Sequence, residues 1–550
     1  MRIATWVVTA AVAAAGCAGA PPRDAADAVS PRALEAHVRF LASDALQGRM
    51  TGTTGYRAAA EYVASQLRLA GVEPAGTQDY FQPVPYAVAS IDAERSHLRV
   101  HRGGRARALA WKTDWIAGAD VLREQVQVRA PAVFVGYGVQ AAELGYDDYA
   151  GLDVRGKIVV MMLGAPKRFA ANPRAFHSTP WVKERIAVEH GAAGTIILRD
   201  SHFARQAPWE AIANNAGRVP SMKWMSDDGK AADYYPQLRG NVVLSETAAA
   251  ELFKGAPKSH AEVMAADAAG EDPPRFALPG EIELEKRGTV SKQASPNVIG
   301  VLRGSDPALA GEYVAYTAHL DHLGVGAPVD GDAIYNGAYD NALGVAMLLE
   351  TARAFAAMNP RPRRSILFVA VGGEERGLQG SDYFAQHPTV PMGSIVADIN
   401  LDMPLVLFPL ADVVAFGSEH STLGASVEAA ARAEGLRLSP DPVPDEVLFI
   451  RSDQYSFVRQ GVPSIALMPG STSADPAVDG AARILEFRRK HYHKPSDDLS
   501  RPVDWSSAGT FARVNVRIGA LVAQADEAPA WHSGNFFGEL FGVRAKSAAP

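Results

Sequence analysis

The chain has 550 residues, too many for a single hydrophobic core, so we expect two or more domains. Apolar residues make up 47% of the composition, which is typical of a globular chain and not of a disordered one. The formal net charge of −7, without a long basic run, argues against a nucleic-acid-binding protein. The single cysteine excludes an internal disulfide.

The first 17 residues have the pattern of an export signal. A positive start is followed by the apolar run 3–15, which is too short to span a bilayer as a helix, and then by Cys17. This ending resembles a bacterial lipoprotein signal, in which the cysteine is lipidated. The alternative is cleavage near Ala18 or Ala20. We therefore expect an exported protein, either a periplasm-facing outer-membrane lipoprotein attached through Cys17 or a secreted protein.

The region before residue 280 shows three changes of character. Residues 18–30 are rich in Ala, Pro and Asp and are predicted to be a tether. Amphipathic patterns predict helices over 31–43 and 56–70. From 117 to 279, short β-runs alternate with Gly-rich and Asp-rich turns, which indicates an inserted β-rich domain.

Residues 280–525 alternate strands with helices. The predicted strands 312–318, 365–371 and 395–401 are nearly continuous apolar runs, as in a parallel sheet that helices cover on both faces. We therefore predict an α/β fold with a mostly parallel central sheet sandwiched by helices. Residues 526–550 are predicted to be an irregular C-terminal tail.

Six histidine and carboxylate residues lie near the predicted ends of these apolar strands. Open α/β sheets build their sites at this carboxyl edge. Each residue alone would more often be a core, cap or turn residue, but the joint pattern predicts a metal centre. Histidine and carboxylate are the ligands of catalytic zinc, and the set is large enough for two ions. The residues are His319, Asp340, Glu374, Glu375, Asp402 and His493.

Some roles follow from the residue types. Of the adjacent Glu374 and Glu375, one can bind metal while the other faces a water molecule as general base, and the sequence does not say which. Asp321 lies two residues after His319 and therefore suits a carboxylate that orients the imidazole.

Five segments resemble the co-catalytic di-zinc aminopeptidases of clan MH, a family that includes bacterial leucyl aminopeptidase and has glutamate carboxypeptidase as a relative. In chain order they are TAHLDHLG (317–324), NGAYDNALG (336–344), GEERGLQGS (373–381), NLDM (400–403) and HKPSD (493–497). The resemblance implies two zinc ions, with Asp340 as the bridging ligand, Glu374 as the general base and Asp321 as the partner of His319. The implied ligands are His319 and Asp402 for one ion, and Glu375 and His493 for the other.

The resemblance extends more weakly to the rest of the chain. Residues 40–49 are similar to the start of family members that carry an inserted protease-associated domain. Residues 136–138 and 151–157 are similar to that domain. This implies a catalytic domain made of 31–116 and 280–525, interrupted by the insert 117–279.

We therefore expect an exported zinc aminopeptidase that removes N-terminal residues from peptides. A carboxypeptidase is an alternative, and Arg376 and Arg451 are the cations nearby in the sequence. A glutaminyl-cyclase-like enzyme with one zinc ion is another. A non-catalytic binding protein would be expected to lack ligands or the base, whereas this chain has both. The sequence does not determine side-chain preference or oligomeric state.

Overall fold

The computed structural model describes residues 24–547, so the predicted export signal and Cys17 lie outside the described residues. Within 24–547, no helix is both long enough and apolar enough to cross a membrane.

The strands are β1 Glu73–Pro74, β2 Phe81–Arg102, β3 Arg105–Leu109, β4 Trp115–Ile116, β5 Gln125–Phe134, β6 Gln140–Ala141, β7 Tyr146–Asp147, β8 Ile158–Met162, β9 Gly194–Leu198, β10 Ser221–Trp224, β11 Asn241–Leu244, β12 Phe276–Leu302, β13 Tyr313–His319, β14 Gly324–Val329, β15 Asp332–Tyr335, β16 Ser365–Val371, β17 Ile395–Asn400, β18 Asp412–Phe416, β19 Arg437–Ser439 and β20 Ser464–Pro469. The helices are α1 Pro31–Leu41, α2 Thr54–Leu69, α3 Ala171–Ser178, α4 Pro180–Glu189, α5 Ser201–Gln206, α6 Trp209–Asn215, α7 Glu246–Leu252, α8 His260–Ala269, α9 Leu343–Ala357, α10 Gln379–Gln386, α11 Leu423–Ala433, α12 Gln454–Val458, α13 Gly480–Lys490, α14 Trp505–Gln524 and α15 Phe536–Ser547.

One large sheet runs through the molecule in the order β19-β18-β20-β17-β13-β16-β12-β5-β8-β9-β11-β4. Strand β13 pairs in parallel with both β16 and β17, and β17 pairs in parallel with β20. Helices α1, α9 and α14 pack on one face of these strands, and α10 and α12 pack on the other. Every residue of β13 and β16 is buried, as expected for strands covered on both sides. The predicted α/β fold with a mostly parallel central sheet is confirmed.

Two long strands carry the chain between the two halves of this sheet. β12 pairs antiparallel with β16 at its C-terminal end and with β2 and β5 along the rest of its length. Beyond β5, strands β8, β9 and β11 continue the sheet in parallel, and helices α3, α4, α7 and α8 pack against them. Segment 117–279 therefore contains helices as well as the predicted strands, and its division into a separate domain stays a prediction.

Both ends of the described chain are more ordered than the sequence predicts. Residues 24–30, predicted as part of a tether, contain a short 3-10 helix whose Ala25 and Ala26 are buried against α9 and α14. The predicted irregular tail contains helix α15, and its Phe537 and Phe541 are buried. Two alanines in the first segment and two phenylalanines in the second bury apolar area. This burial is sufficient to pack each short segment against the existing core.

The fully buried guanidinium of Arg49 joins the N-terminal segment to the loop that follows β13. It donates hydrogen bonds to the backbone carbonyls of Leu320 (3.0 Å), Asn336 (2.6 Å) and Gly337 (3.0 Å), and to that of Leu41. These four carbonyls belong to buried residues and need a hydrogen-bond donor within the protein. Arg49 supplies it, and its side chain therefore fixes the loop between β13 and α9.

We expect Arg49→Met to lower the free energy of unfolding by about 3–5 kcal/mol, because it leaves several buried carbonyls without a charged donor. Denaturant unfolding followed by circular dichroism measures this. The matched control is Arg39→Met, because Arg39 is 65% exposed and pairs with Glu35 on the same helix. That change is expected to stay within about 0.5 kcal/mol. Equal effects of the two changes would contradict the assigned role.

Candidate metal centre

Three parallel strands bring their carboxyl ends to one edge of the sheet. β13 and β16 end in register, with His319 opposite Val371. β17 ends beside them at Asn400, because Asn400 pairs with Thr317 of β13. Side chains that directly follow these strands therefore meet at the edge where open α/β sheets place their sites. The predicted site residues that follow β16 and β17 are Glu374, Glu375 and Asp402.

The other two predicted ligands reach this edge from segments beside helices. Asp340 precedes helix α9, and His493 lies in the loop after helix α13 with a left-handed φ of +57°. Asp497 accepts hydrogen bonds from the backbone N–H groups of Tyr339 (3.0 Å) and Asp340 (3.1 Å). This contact joins the His493 loop to the start of α9.

The carboxylate of Asp340 lies between two pairs of candidate ligands. Its Oδ1 is 3.2 Å from Nε2 of His319, which is 3.1 Å from Oδ1 of Asp402. Its Oδ2 is 3.2 Å from Nε2 of His493, which is 3.2 Å from Oε2 of Glu375. We call His319, Asp340 and Asp402 the first site, and Asp340, Glu375 and His493 the second site. The two oxygens of Asp340 thus face one site each.

These separations fit metal coordination. Donor atoms bound to zinc at about 2.0–2.1 Å in a tetrahedral arrangement lie about 3.3 Å from one another. The four nitrogen–oxygen separations in the two sites are 3.1–3.2 Å. Each site offers one imidazole nitrogen and two carboxylate oxygens, which leaves room for water or substrate as a further ligand. The donor set therefore suits catalytic zinc at both sites.

The carboxylates of Asp402 and Glu375 differ in their outer contacts. Oδ2 of Asp402 accepts a hydrogen bond from the Ser452 hydroxyl at 2.6 Å, and that hydroxyl accepts one from Asn400 Nδ2 at 2.8 Å. Oε1 of Glu375 lies 2.7 Å from Nδ1 of His322, but within residues 24–547 neither atom has a hydrogen-bond partner. Asp402 is therefore oriented to bind through a single oxygen.

Asp321 supports the centre through two atoms. Its backbone oxygen lies 3.1 Å from Nδ1 of His319, closer than its carboxylate, which is 3.9 Å away. The carboxylate accepts a hydrogen bond from the backbone N–H of Glu374 at 3.2 Å. Asp321 therefore orients His319 mainly through its main chain and fixes the turn that carries Glu374.

The side chain of Glu374 stands apart from the two ligand sets. Within residues 24–547 its carboxylate has no hydrogen-bond or ion-pair partner. Burial raises its pKa well above the usual range, opposed by His319, and the neighbouring charges of Glu375, Asp402 and Asp453 raise it further. A carboxylate of this kind takes up a proton more readily than one in water.

Asn341 is a structural residue that the sequence reasoning missed. Its Nδ2 donates to the backbone oxygen of Leu401 at 2.8 Å, and its Oδ1 accepts from the N–H of Gly344 at 3.1 Å. It therefore ties the start of α9 to the loop that carries Asp402. The motifs quoted above contain Asn341, Asp497 and His322. Their positions close to predicted ligands in the sequence were the signal that could have indicated a supporting role.

A family model described as "Peptidase family M28" matches residues 297–518. This region of the chain is similar to peptidase family M28. It contains all six predicted ligands and bases and the parallel strands that position them.

Curated relatives match over short stretches. A "Probable zinc metalloprotease" of Pyrenophora teres f. teres is 39% identical over 107 residues, which are 19% of this chain and 22% of that protein. "Aminopeptidase NAALADL1" of Mus musculus is 31% identical over 134 residues, 23% of this chain and 16% of that protein. The chain thus aligns with about a fifth of the length of these relatives.

A solved structure, "Aminopeptidase from Aneurinibacillus sp. strain AM-1", matches the whole fold with a TM-score of 0.52 and 18% identity. The match covers 92% of this chain and 96% of that one. The similarity therefore covers segment 117–279 as well as residues 297–518, and it is a similarity of fold.

Metal binding should release protons and strengthen as the pH rises. Burial lowers the pKa of His493, but its contacts with Asp340 and Glu375 outweigh this and raise it to about 10; Asp402, Glu374 and Asp340 likewise raise the pKa of the buried His319. Both imidazoles are therefore protonated near neutral pH without metal, and each must lose its proton to bind an ion.

Zinc titrations of the metal-free protein by calorimetry, in buffers of different ionisation enthalpy, count the protons released. We expect about two protons per fully loaded protein at pH 7, and an apparent affinity that rises between pH 6 and 8. An affinity that falls over that range would contradict the assignment.

Proposed function

We propose that this protein is a zinc-dependent aminopeptidase that uses two zinc ions to remove N-terminal residues from peptides. The observation that carries the proposal is the position of Asp340, whose two oxygens face two separate sets of histidine and carboxylate ligands. A carboxylate shared in this way is the feature that a two-metal hydrolytic site requires. The M28 match and the relatives named for zinc and aminopeptidase activity support it.

The protein groups divide the chemical work. When bound, zinc ions supply Lewis-acid polarisation of the scissile carbonyl and make water more acidic. Glu374, the carboxylate left outside the ligand sets, is placed to take the proton from the attacking water and to deliver it to the leaving amine. Asp321 holds the backbone of Glu374, so the base has a fixed position relative to His319.

Glu374→Gln should lower kcat by about 10²–10⁴-fold while both metal ions remain bound, because the amide keeps the shape of the side chain and cannot take a proton. Its neighbour provides the matched control. Glu375→Gln should instead weaken metal binding at the second site. The readouts are metal content and hydrolysis of aminoacyl-p-nitroanilides with free and with acetylated amines, with and without chelator.

Chelator-sensitive hydrolysis of the free-amine substrates alone is the expected result for the wild-type protein. Hydrolysis of the acetylated compounds at the same rate would contradict an aminopeptidase. Loss of a metal ion in Glu374→Gln, with full occupancy in Glu375→Gln, would reverse the roles given to the two glutamates.

Tyr492 is a further group of the centre that the sequence reasoning missed. Its ring stacks on His493 with centroids 3.8 Å apart, and the residue is 39% exposed. Burial of the phenol and the nearby carboxylates, Asp340 first among them, raise its pKa, so the hydroxyl keeps its proton. It is suited to donate a hydrogen bond to the oxyanion that forms during hydrolysis.

We expect Tyr492→Phe to lower kcat by about 10²-fold with KM changed much less, because the donor acts on a charge present only in the transition state. Steady-state kinetics on one aminoacyl-p-nitroanilide measure this. The ring that stacks on His493 is retained, so metal content should not change. An unchanged kcat would remove Tyr492 from the mechanism.

A carboxypeptidase is the second candidate, because of one cavity. A cavity of about 460 Å³ lies between the insert and the segment before Ser452, and Arg451, Lys167 and Arg174 are among its lining residues. Arginine and lysine side chains that line a cavity suit a substrate carboxylate. Peptides blocked at the N-terminus or amidated at the C-terminus separate the two activities. Cleavage that survives N-terminal blocking and is abolished by C-terminal amidation would favour the carboxypeptidase.

We further propose that the protein is exported, either as a lipoprotein attached through Cys17 or in secreted form. The charged start, the apolar run 3–15 and the position of Cys17 support this. Fractionation of cells that produce the wild-type protein and Cys17→Ser tests it. Membrane association that depends on Cys17 indicates lipidation, and recovery of both forms in the cytoplasm would overturn export.

A further inference from the structure

Strand β10 of the insert lies against the turn that carries Glu374. We call residues 373–377 the glutamate turn. Strand β10 pairs antiparallel with β2, and both strands contact the turn at Gly373. A Cβ built at Gly373 would lie 3.2 Å from Cε of Met222 in β10 and 3.5 Å from the hydroxyl of Tyr86 in β2. The insert therefore packs directly on the residue that precedes the proposed general base.

The side chain of Gln379 joins β10 to this turn by hydrogen bonds. Its Oε1 accepts a hydrogen bond from the backbone N–H of Trp224 at 2.9 Å. Its Nε2 donates to the backbone oxygens of Gly377 at 2.8 Å and of Arg376 at 3.3 Å. Its own backbone N–H donates to the oxygen of Gly373 at 2.9 Å. Gln379 thus holds both ends of the glutamate turn and attaches the turn to β10.

The burial of Gln379 makes these hydrogen bonds important. Its side chain lies in the protein interior, and the residue is 3% exposed. Among the described strands β10 pairs with β2 alone, so the N–H of Trp224 needs an acceptor from outside the sheet. An amide supplies that acceptor and, at the same time, a donor for the carbonyls of the turn. Removal of the amide would leave buried backbone groups on both sides without a partner.

The position of Glu374 depends on the backbone of the turn. Within residues 24–547 its carboxylate has no hydrogen-bond or ion-pair partner, so the turn that carries the side chain determines where it lies. Asp321 accepts the N–H of Glu374 from the loop after β13, and Gln379 holds the turn from the side of β10. Loss of either support should displace the base relative to the metal ligands.

Other contacts attach the insert without touching the glutamate turn. The indole N–H of Trp224 donates to Asp382 at 2.8 Å, and Asp382 lies 3.2 Å from Arg459. Arg459 also pairs with Asp233 of the insert at 3.3 Å, and its guanidinium lies 4.4 Å from the centroid of the Trp181 ring. These contacts hold the insert against helix α10 and the end of α12. They therefore offer a control for an effect of attachment alone.

We propose that Gln379 is a positioning residue for the general base: its amide fixes the glutamate turn against β10, so that the insert sets the position of Glu374 relative to the metal ligands. The inference rests on the function proposed above. It adds that the insert takes part in catalysis through the backbone that carries the base.

Steady-state kinetics of Gln379→Met on one aminoacyl-p-nitroanilide test the proposal. Methionine has a similar length but lacks the amide donor and acceptor. We expect kcat to fall about 10–100-fold, because a displaced base transfers its proton less efficiently, with KM and metal content within about twofold. Asp233→Asn, which removes only a charge from the attachment of the insert, should leave kcat within about twofold.

A double-mutant cycle separates positioning of the base from general support of the fold. In a Glu374→Gln background no base remains to be positioned, so Gln379→Met should lower kcat by less than about twofold. If Gln379→Met does not fold, as judged by circular dichroism, Gln379→Asn replaces it in the cycle. The shorter side chain keeps an amide in the same place but cannot reach both Trp224 and Gly377.

Three outcomes would overturn the inference. An unchanged kcat in Gln379→Met would leave the residue a packing role. The same fold loss with and without Glu374 would show general support of the fold. A loss in Asp233→Asn equal to that in Gln379→Met would assign the effect to attachment of the insert.

Failure of the proposed function gives a different result. Wild-type protein without chelator-sensitive hydrolysis of free-amine substrates, or an unchanged kcat in Glu374→Gln, would overturn the aminopeptidase mechanism and with it this inference. Both results are visible without any change at Gln379.

Discussion

Mutual repulsion among buried carboxylates is the constraint on which the centre depends. Asp340, Glu375, Asp402, Glu374 and Asp321 gather at the ends of strands that are covered on both faces, where water screens their charges poorly. Such a cluster is stable only when cations or protons lie among the carboxylates. In the metal-free protein the two histidines supply them, since their pKa values are raised by the same carboxylates. Metal ions can replace those protons with a larger positive charge.

The local structure around each ligand follows from this constraint. A carboxylate that faces an ion with one oxygen needs a partner for the other, because an unpartnered buried oxygen is costly. Ser452 supplies that partner for Asp402. Within residues 24–547 Oε1 of Glu375 has no hydrogen-bond partner, although it lies 2.7 Å from Nδ1 of His322. Asp340 has no such outer partner because both of its oxygens face inward. The three carboxylates thus differ in their surroundings.

The parallel core could be predicted from the sequence because its signals are local. Ser365–Val371 is apolar at every position but the first and is found as a strand with those bounds. The proximity of the candidate ligands could also be predicted, since these residue types are rarely clustered near strand ends. The six residues together indicated a site, whereas each residue alone did not.

Other features depend on contacts between distant segments. Helix α13 buries only Gly480 and Phe487, so its apolar face is too narrow to predict a helix, and the approach of His493 from that helix was not expected. Phe276–Leu302 alternates polar and apolar residues only over 281–285 and ends in the apolar run 298–302, so its continuity as one strand and its pairing with β2, β5 and β16 are properties of the tertiary fold. The contact of His322 with Glu375 joins two motifs 53 residues apart and is likewise a property of the folded chain.

The insert and the C-terminal helix are also part of the environment of the metal centre. Ser452 lies three residues after Phe449, which packs against Phe537 of α15 with ring centroids 5.4 Å apart. Helix α15 in turn packs against the insert, where Phe176 meets Phe541 at 6.1 Å. Neither α15 nor the insert belongs to the 297–518 region that matches the M28 model. Because burial of these rings fixes the segment that carries Ser452, the orientation of Asp402 depends on parts of the chain outside that region.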